Sequence, residues 1–300
     1  MWGRVPGMFR LTFSHLLLLL VAAIWGSGFV AQKLGLEHIG PYSFNAARLA
    51  LATLALLLVW RCIRRRGLAP QTRLPLLLGG GALAGAFLFA GLTFQQVGLQ
   101  YTTATNAGFI TSLYLVIVPL LVLLAGQRTR WQTWSGIVLA VAGLYYLSMK
   151  PGAGLNRGDL LQFIGAFFWA GHVVALGWLS RHIRDFAGLS VLQFAMAALL
   201  AILAARVLEQ EPVSALVQAA PAILYSGLVV IALGFTLQVL AQQVVSASVA
   251  ALMLSFEAAF AALMGWLFLG ESIGPRELAG CSLMLAGLLV SQLPGTAKTG

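Results

Sequence analysis

The sequence predicts an all-α integral membrane protein of ten transmembrane helices, arranged as two inverted five-helix repeats. Hydrophobic residues make up 60% of the 300-residue chain, charged residues make up 9%, and the mean hydropathy is +0.92. Such a composition lies far from that of a soluble domain, because water cannot solvate so apolar a surface. In addition, ten apolar stretches fill most of the chain, and the last five repeat the character of the first five.

Each apolar stretch is long enough to cross the hydrocarbon core of a bilayer, which needs roughly 20 helical residues. Strands of a transmembrane barrel would alternate polar and apolar residues, whereas runs such as Leu16 to Leu20 are continuously apolar. Helices also satisfy their backbone hydrogen bonds within the segment. In chain order, the predicted spans are Phe13 to Leu34, Pro41 to Trp60, Leu74 to Gln95, Thr102 to Leu124, Trp131 to Met149, Leu160 to Leu179, Leu189 to Val207, Ala222 to Ala241, Ala247 to Phe268 and Leu278 to Leu293.

The first apolar stretch follows Arg4 and Arg10, a charged start that also occurs in signal peptides. Apolarity continues through Trp25 to Val30. We therefore interpret this stretch as an uncleaved first helix.

The basic residues determine the predicted orientation. With the N-terminus in the cytoplasm, most of the 18 lysines and arginines, including the cluster Arg61 to Arg66, fall on the cytoplasmic side, as the positive-inside rule requires. The cluster can also touch anionic headgroups of the membrane lipids. It has no interleaved aromatic residues, so we expect no nucleic-acid partner. The expected location is the inner (plasma) membrane, with multiple passes and both termini cytoplasmic.

The two halves of the chain, residues 1–150 and 151–300, overlay at a nearly constant offset. A shift of 144 brings Ile24 to Gly28 onto Phe168 to His172, and a shift of about 143 brings Thr103 to Ala107 onto Ser246 to Ala250. Apolar helices resemble one another in any membrane protein, but a shared offset at several landmarks favours duplication. Because five is odd, the second half must enter the membrane with the opposite orientation, an arrangement that supports alternating access to a midplane site.

At these landmarks the chain resembles the drug/metabolite transporter superfamily, specifically its EamA family of ten-helix carriers. The resemblance covers most of the chain and rests on the order and spacing of several short segments, which are Trp25 to Val30 with Lys33 after it, Arg48, Tyr101 to Ala107, Val245 to Ala251, and Leu269 to Glu271 followed by Gly280. It implies a secondary transporter, often an exporter, of small metabolites such as amino acids. The first half departs from the pattern, with Gln127 in place of Glu271 and Tyr114 near the place of Glu257.

Glu257 is the first candidate for a site residue, because a charged side chain near the centre of a span costs roughly 2.5 to 3.5 kcal/mol on insertion scales. Helical spacing predicts that Met253 and Phe260 share its face. The carboxyl group then serves as a contact for a substrate ammonium or as a proton-coupling group. The alternative is an internal hydrogen bond to a neighbouring helix.

Three further charged or titratable residues lie within or near spans. His172 is near the middle of the sixth span, where pairing with Glu257 or titration near neutral pH is possible; a plain structural hydrogen bond is the alternative. Arg48 and Lys33 lie towards the outer ends of their helices. Either can bind a substrate carboxylate, or snorkel to the interface and pair with Glu37.

Polar and aromatic residues of the first half complete the candidate substrate site: Trp25, Asn106, Phe109 and, at mid-span, Tyr114. Gln95, Gln96, Gln242 and Gln243 occur at matching helix ends, where we expect them to cap or cross-link helices.

The leading functional hypothesis is a carrier that exports small amphipathic metabolites, most of all amino acids including aromatic ones, by alternating access. A broad multidrug exporter is the alternative within the same class. A remote alternative is an intramembrane enzyme with Ser27 as nucleophile and His172 as base.

No cofactor and no metal are expected, since no cysteine and histidine cluster has ligand spacing. The expected partners are the small-molecule substrate and membrane lipids. Coupling to protons and the choice between monomer and homo-oligomer stay open.

Overall fold

The computed structural model describes residues 7–66, 72–148, 156–272 and 274–293. Within these ranges ten long helices follow one another: α1 Gly7–Gly35, α2 Pro41–Arg65, α3 Leu74–Leu99, α4 Ala104–Leu124, α5 Trp131–Ser148, α6 Arg157–His182, α7 Phe186–Leu208, α8 Ala220–Gln242, α9 Ala247–Leu269 and α10 Pro275–Gln292. A short helix, Val213–Gln218, precedes α8. Arg4, the predicted end of the fifth span at Met149, and the boundary between the two halves lie outside the described residues.

Eight of these helices, all except α5 and α10, are long and apolar enough to cross a membrane. Helix α5 has 18 residues, and the apolar part of α10, Leu278–Ser291, is shorter than a full span. Large apolar side chains such as Leu54, Leu124 and Val207 are exposed on the outside of the helices, as in surfaces that face lipid. The chain is a multi-pass helical membrane protein.

Local signals explain several helix ends. Asn156 and Asp159 form a capping box, so α6 begins at Arg157 rather than at the predicted Leu160. Such a box satisfies two backbone donors that the first turn of a helix leaves open. Helices α4 and α9 are each followed by a glycine in the left-handed region, Gly126 with φ 76° and Gly270 with φ 67°, a conformation that glycine adopts without strain.

The helix packing follows the same pattern when the first five helices are exchanged with the last five. Helix α2 packs on α7, α5 on α10, and α4 on α9. Helix α1 contacts α9, and the corresponding helix of the second half, α6, contacts α4. In the same way α3 contacts α7, and its counterpart α8 contacts α2. Helices α5 and α10 approach closely at glycines: a Cβ added to Gly143 would lie 2.8 Å from the backbone nitrogen of Met284.

Helices α4 and α9 are both broken near their middle. Helix α4 consists of Ala104–Ser112 and Tyr114–Leu124, and α9 consists of Ala247–Leu254 and Glu257–Leu269. The breaks touch, because the Ser112 hydroxyl donates to the Ser255 carbonyl oxygen at 3.2 Å. Broken helices at membrane depth are tolerated where they are buried in protein or line a cavity, and discontinuous helices form the sites of many transporters.

The two ends of the helix bundle differ in charge. We call the end with the turns after α2, α4 and α6, which carries Arg61 to Arg66, Arg128, Arg130, Arg181 and Arg184, the basic end. At the opposite end, carboxylates cap helices of the other half. Glu209 accepts from the backbone nitrogens of Tyr42 and Ser43 at 3.1 and 2.7 Å, and Glu271 accepts from Ala104 N at 3.0 Å.

Candidate functional site

A small cavity lies at the centre of the bundle, next to the breaks in α4 and α9. Its volume is about 20 Å³, which is room for about one water molecule. Seven helices contribute to its wall, and the lining residues are Trp25, Phe29, Gln32, Arg48, Leu92, Gln95, Thr111, Tyr114, Trp169, Val230, Phe235 and Glu257. The cavity therefore brings together a carboxyl group, a guanidinium group, two amides, two hydroxyls and several aromatic rings.

Glu257 is 3% exposed and is the first residue after the break in α9. The Ser112 hydroxyl lies 3.5 Å from its Oε1. In the part of the chain that the structure describes, no lysine, arginine or histidine forms an ion pair with Glu257. The carboxyl group thus faces the cavity with few partners of its own.

Arg48 of α2 is fully buried. Its Nε donates to Asn45 Oδ1 at 2.9 Å, and its guanidinium lies 5.1 Å from the centre of the Phe44 ring. Nη1 and Nη2 have no hydrogen-bond partner among the described residues. An unpartnered buried guanidinium is costly unless something else in the cavity accepts from it.

Amide side chains hold one side of the cavity in place. Gln95 Nε2 donates to Gln32 Oε1 at 3.1 Å, and Gln162 Nε2 donates to the Gln95 carbonyl oxygen at 2.8 Å. Asn45 Nδ2 donates to the Leu92 carbonyl oxygen at 3.1 Å, so the residue that holds Arg48 is itself fixed to α3. These bonds link α1, α2, α3 and α6 around the cavity.

Aromatic rings form the other side. Trp25 and Phe235 have ring centres 4.6 Å apart, and Trp169 stacks on Phe235 at 5.8 Å. The Trp25 indole nitrogen donates to the Val230 carbonyl oxygen at 3.3 Å. Val230 lies in a π-helical stretch of α8, Tyr225–Phe235, and such stretches occur frequently at functional sites.

Four of the nine predicted site residues line the cavity: Trp25, Arg48, Tyr114 and Glu257. The Tyr114 hydroxyl is buried next to the Glu257 carboxyl group, although no hydrogen bond of normal geometry joins it to a described atom. Tyr114 is the first residue after the break in α4. It therefore occupies in the first half the place that Glu257 occupies in the second.

The other five predicted residues are outside the cavity lining. His172 Nε2 lies 2.9 Å from Gln193 Oε1, so His172 forms the structural hydrogen bond given as the alternative and is not paired with Glu257. The break in α9 separates Met253 from Glu257, so a helical spacing of four no longer describes their positions. Phe260 packs against Gly26 of α1. Phe109 is buried in the core, and Asn106 lies in the first turn of α4.

Ser27 and His172, the residues of the enzyme alternative, have different partners. The Ser27 hydroxyl contacts the Ile24 carbonyl oxygen at 2.7 Å and the Tyr225 hydroxyl at 2.6 Å. Since His172 contacts Gln193, the two do not form a nucleophile and base pair.

The sequence reasoning missed Gln32, Trp169 and Phe235 as cavity residues. Trp169 had a signal, because the offset of 144 that defines the repeat places it on Trp25, and the two rings are 6.3 Å apart. Gln32 and Phe235 had none, since their approach depends on how α1 and α8 rotate. Lys33 instead caps the end of α3, donating to the carbonyl oxygens of Leu99 and Thr102 at 2.9 and 2.8 Å.

Comparison with known proteins identifies the family. Residues 12–149 and 156–292 each match the EamA-like transporter family. A solved crystal structure has the same fold, with a TM-score of 0.72 at 18% identity, covering 93% of this chain and 96% of the other.

Curated relatives of similar length include transporters and exporters. An uncharacterized transporter of Archaeoglobus fulgidus is 32% identical over 97% of this chain and 89% of its own. The threonine/homoserine exporter RhtA of Escherichia coli is 30% identical over 93% and 90%. A probable terminal-alkyne amino-acid exporter of Streptantibioticus cattleyicolor is 29% identical over 91% of each. Because the family match spans both halves, the chain belongs to the EamA-like transporter family of the drug/metabolite transporter superfamily.

Proposed function

We propose that this transporter exports small amphipathic metabolites, above all amino acids including aromatic ones, by alternating access. The observation that carries the proposal is that Arg48 and Glu257, both buried and neither ion-paired within the described residues, line the same cavity. An amino acid supplies the two missing charges, a carboxylate for the Arg48 Nη atoms and an ammonium for Glu257. Arginine is well suited to the first role, because its planar fork matches a carboxylate.

The aromatic wall supports the inclusion of larger side chains. Trp25, Trp169 and Phe235 offer ring faces and edges to an apolar or aromatic substituent, and such contacts contribute about 0.5 to 1.5 kcal/mol beyond area burial. The exporters of threonine/homoserine and of a terminal-alkyne amino acid among the relatives support the same substrate class.

The cavity must enlarge before it can hold an amino acid, since its volume of about 20 Å³ suits a single water molecule. We propose that the two five-helix halves are an inverted repeat and that their relative rocking, with α4 and α9 crossing at the breaks, opens the cavity to one side and then to the other. Under the positive-inside rule the basic end is cytoplasmic, as are both termini, and the membrane is the inner membrane.

A broad multidrug exporter is the second candidate, because one buried acid beside aromatic rings also suits organic cations. Arg48 disfavours it, since a cation near an unpaired guanidinium is repelled. Protons are a suitable coupling ion for either function, because a buried membrane carboxyl group such as Glu257 can carry one.

The test is exchange of labelled amino acids and amines in proteoliposomes. We expect saturable exchange of amino acids in the wild type. In Arg48→Gln we expect amino-acid exchange to fall roughly tenfold to a hundredfold, the value of a charge-assisted hydrogen bond, while exchange of the matching decarboxylated amine is retained. Glu257→Gln should reduce both. The exposed Arg206→Gln is the matched control and should reduce neither.

Two results would overturn these assignments. Absence of exchange across all common amino acids, in protein shown to be folded, contradicts the export proposal. Preferential exchange of amines by the wild type favours the multidrug alternative instead. A pH gradient across the liposomes adds the proton test: gradient-driven flux in the wild type that disappears in Glu257→Gln supports coupling through this carboxyl group.

A further inference from the structure

Two surface grooves of similar size lie at opposite ends of the bundle. The groove at the basic end has a volume of about 770 Å³ and lies among α3, α4, α6 and the first residues of α5 and α9. We call it the basic groove. The second, of about 720 Å³, lies among α1, α8 and α9 at the opposite end, and we call it the apolar groove. The two grooves are lined by corresponding helices of the two halves. Helices α6, α3 and α4 line the basic groove, and their counterparts α1, α8 and α9 line the apolar groove.

The chemistry of the two grooves differs. The basic groove has a rim of cationic and hydroxyl side chains, and no acidic residue occurs among its described lining: the rim consists of Arg128, Arg130, Arg181, His182, Thr129, Ser246 and Ser248. Its deeper wall is apolar, with Val122, Val174 and Leu179. The apolar groove has no arginine or lysine among its described lining residues, and its polar side chains include Glu37, His38 and Tyr225. Only the basic groove therefore combines concentrated positive charge with an apolar wall.

Part of the basic rim is fixed by contacts of its own. Arg130 Nη2 donates to the Leu293 carbonyl oxygen at 3.0 Å, and His182 Nδ1 lies 2.8 Å from the Trp178 carbonyl oxygen with the two rings stacked at 4.2 Å. Arg128 and Arg181 have no acidic partner within the described residues and are exposed. The rim thus keeps at least two guanidinium groups available for an external anion.

We propose that the basic groove binds an anionic phospholipid, with the headgroup phosphate on the arginine rim and an acyl chain along the apolar wall. Charge complementarity supports the phosphate, because arginine forms bidentate hydrogen bonds with phosphate oxygens and basic pockets between transmembrane helices bind acidic headgroups. The position supports a lipid rather than a soluble anion. Exposed apolar side chains flank the groove, among them Leu83, Leu124 and Trp178, so its open side faces the bilayer.

The site differs from the substrate cavity and would act on it through shared helices. Val122 and Val174 of the groove wall lie on α4 and α6, the helices that also carry Tyr114 and Trp169. A lipid seated between α3, α4 and α6 holds these helices together at the basic end, so we expect it to stabilise the folded protein.

The test compares lipid binding and thermal unfolding of the full-length protein in neutral phosphatidylcholine and with added phosphatidylglycerol. We expect phosphatidylglycerol to raise the Tm and to be retained on purified protein in native mass spectrometry. In the triple variant R128Q/R130Q/R181Q the affinity should fall on the order of a hundredfold, about fivefold per arginine. The control R73Q/R184Q removes exposed charges from the same end, outside both the groove and the cluster Arg61 to Arg66, and should bind as the wild type does.

A third arm separates the lipid from a free anion. Inorganic phosphate and glycerol 3-phosphate are added at the same concentration, and we expect neither to raise the Tm. Full stabilisation by these soluble anions, or equal retention of phosphatidylglycerol by the triple variant and the wild type, would overturn the proposal. If the triple variant does not fold, Arg128→Gln and Arg181→Gln are measured singly, and a loss in each but not in Arg73→Gln supports the site.

Discussion

Glu271 offers a direct test of a contact between the two halves at the end opposite the basic end. Its carboxylate accepts hydrogen bonds from the backbone nitrogens of Ala104 and Thr105 at 3.0 and 3.2 Å and from the Thr105 hydroxyl. The loop after α9 thereby caps the N-terminus of α4. Gly270 makes this geometry possible, because its φ of 67° turns the chain back at once.

The substitution Glu271→Gln keeps one acceptor oxygen and removes the charge. An N-terminal cap is worth about 1 kcal/mol, and a charge near a helix N-terminus adds about 0.3 to 1 kcal/mol. We therefore expect a loss of about 1 to 2 kcal/mol. If the contact forms only when this end is closed, the equilibrium shifts toward the open form by a factor of roughly 5 to 30.

A thiol-labelling rate measures that shift. Asn106→Cys, in a background without the two native cysteines, places a thiol in the first turn of α4, close to the cap. With Glu271→Gln added, we expect labelling to accelerate by roughly 5 to 30-fold, the same factor. The matched control is Gln127→Ala, because Gln127 follows Gly126 as Glu271 follows Gly270 and has no side-chain hydrogen bond among the described contacts. Unchanged labelling and unchanged unfolding in Glu271→Gln would refute the reasoning.

Two further predictions concern packing and a side-chain bridge. A Cβ at Gly26 would lie 2.8 Å from the Glu257 carbonyl oxygen, so Gly26→Val should displace α9 and destabilise the protein by about 1 to 3 kcal/mol. Gly79 has open space around it, so Gly79→Val should not destabilise the protein, and thermal unfolding and exchange assays compare the two variants. The Trp60 indole donates to Asp185 Oδ2 at 3.0 Å, so Trp60→Phe should lower the free energy of unfolding by about 1 kcal/mol, measured by chemical denaturation. An unchanged free energy of unfolding would argue against this bridge.

The sequence was most informative where the hydrophobic pattern is long. Eight spans are present as helices long and apolar enough to cross a membrane, since a run of some 20 apolar residues leaves the backbone little choice but a helix. The same pattern located Glu257 and Tyr114, because polar groups are conspicuous in an apolar span. It also placed Arg48, although its burial without hydrogen-bond partners at Nη1 and Nη2 is visible only in the fold.

The parts that escaped prediction depend on tertiary packing. The breaks at Leu113 and at Ser255 and Phe256 contain neither proline nor glycine, so no local signal marked them, and the helical spacing applied to Met253 assumed a continuous helix. The π-helical stretch of α8 is equally unmarked in the sequence. The partner of His172 depended on the rotation of α6 against α7, which periodicity alone does not determine.

The crossing of the two helix breaks has a consequence for the transport cycle. The Ser112 hydroxyl donates to the Ser255 carbonyl oxygen and also lies 3.5 Å from Glu257 Oε1, so the junction of the breaks contacts the Glu257 carboxyl group. Tyr114 and Glu257, the residues that follow the breaks, give each half one polar side chain at the centre of the molecule. The two are unequal, a phenol and a carboxylic acid, so we expect the two half-cycles of the proposed alternating access to differ in energy.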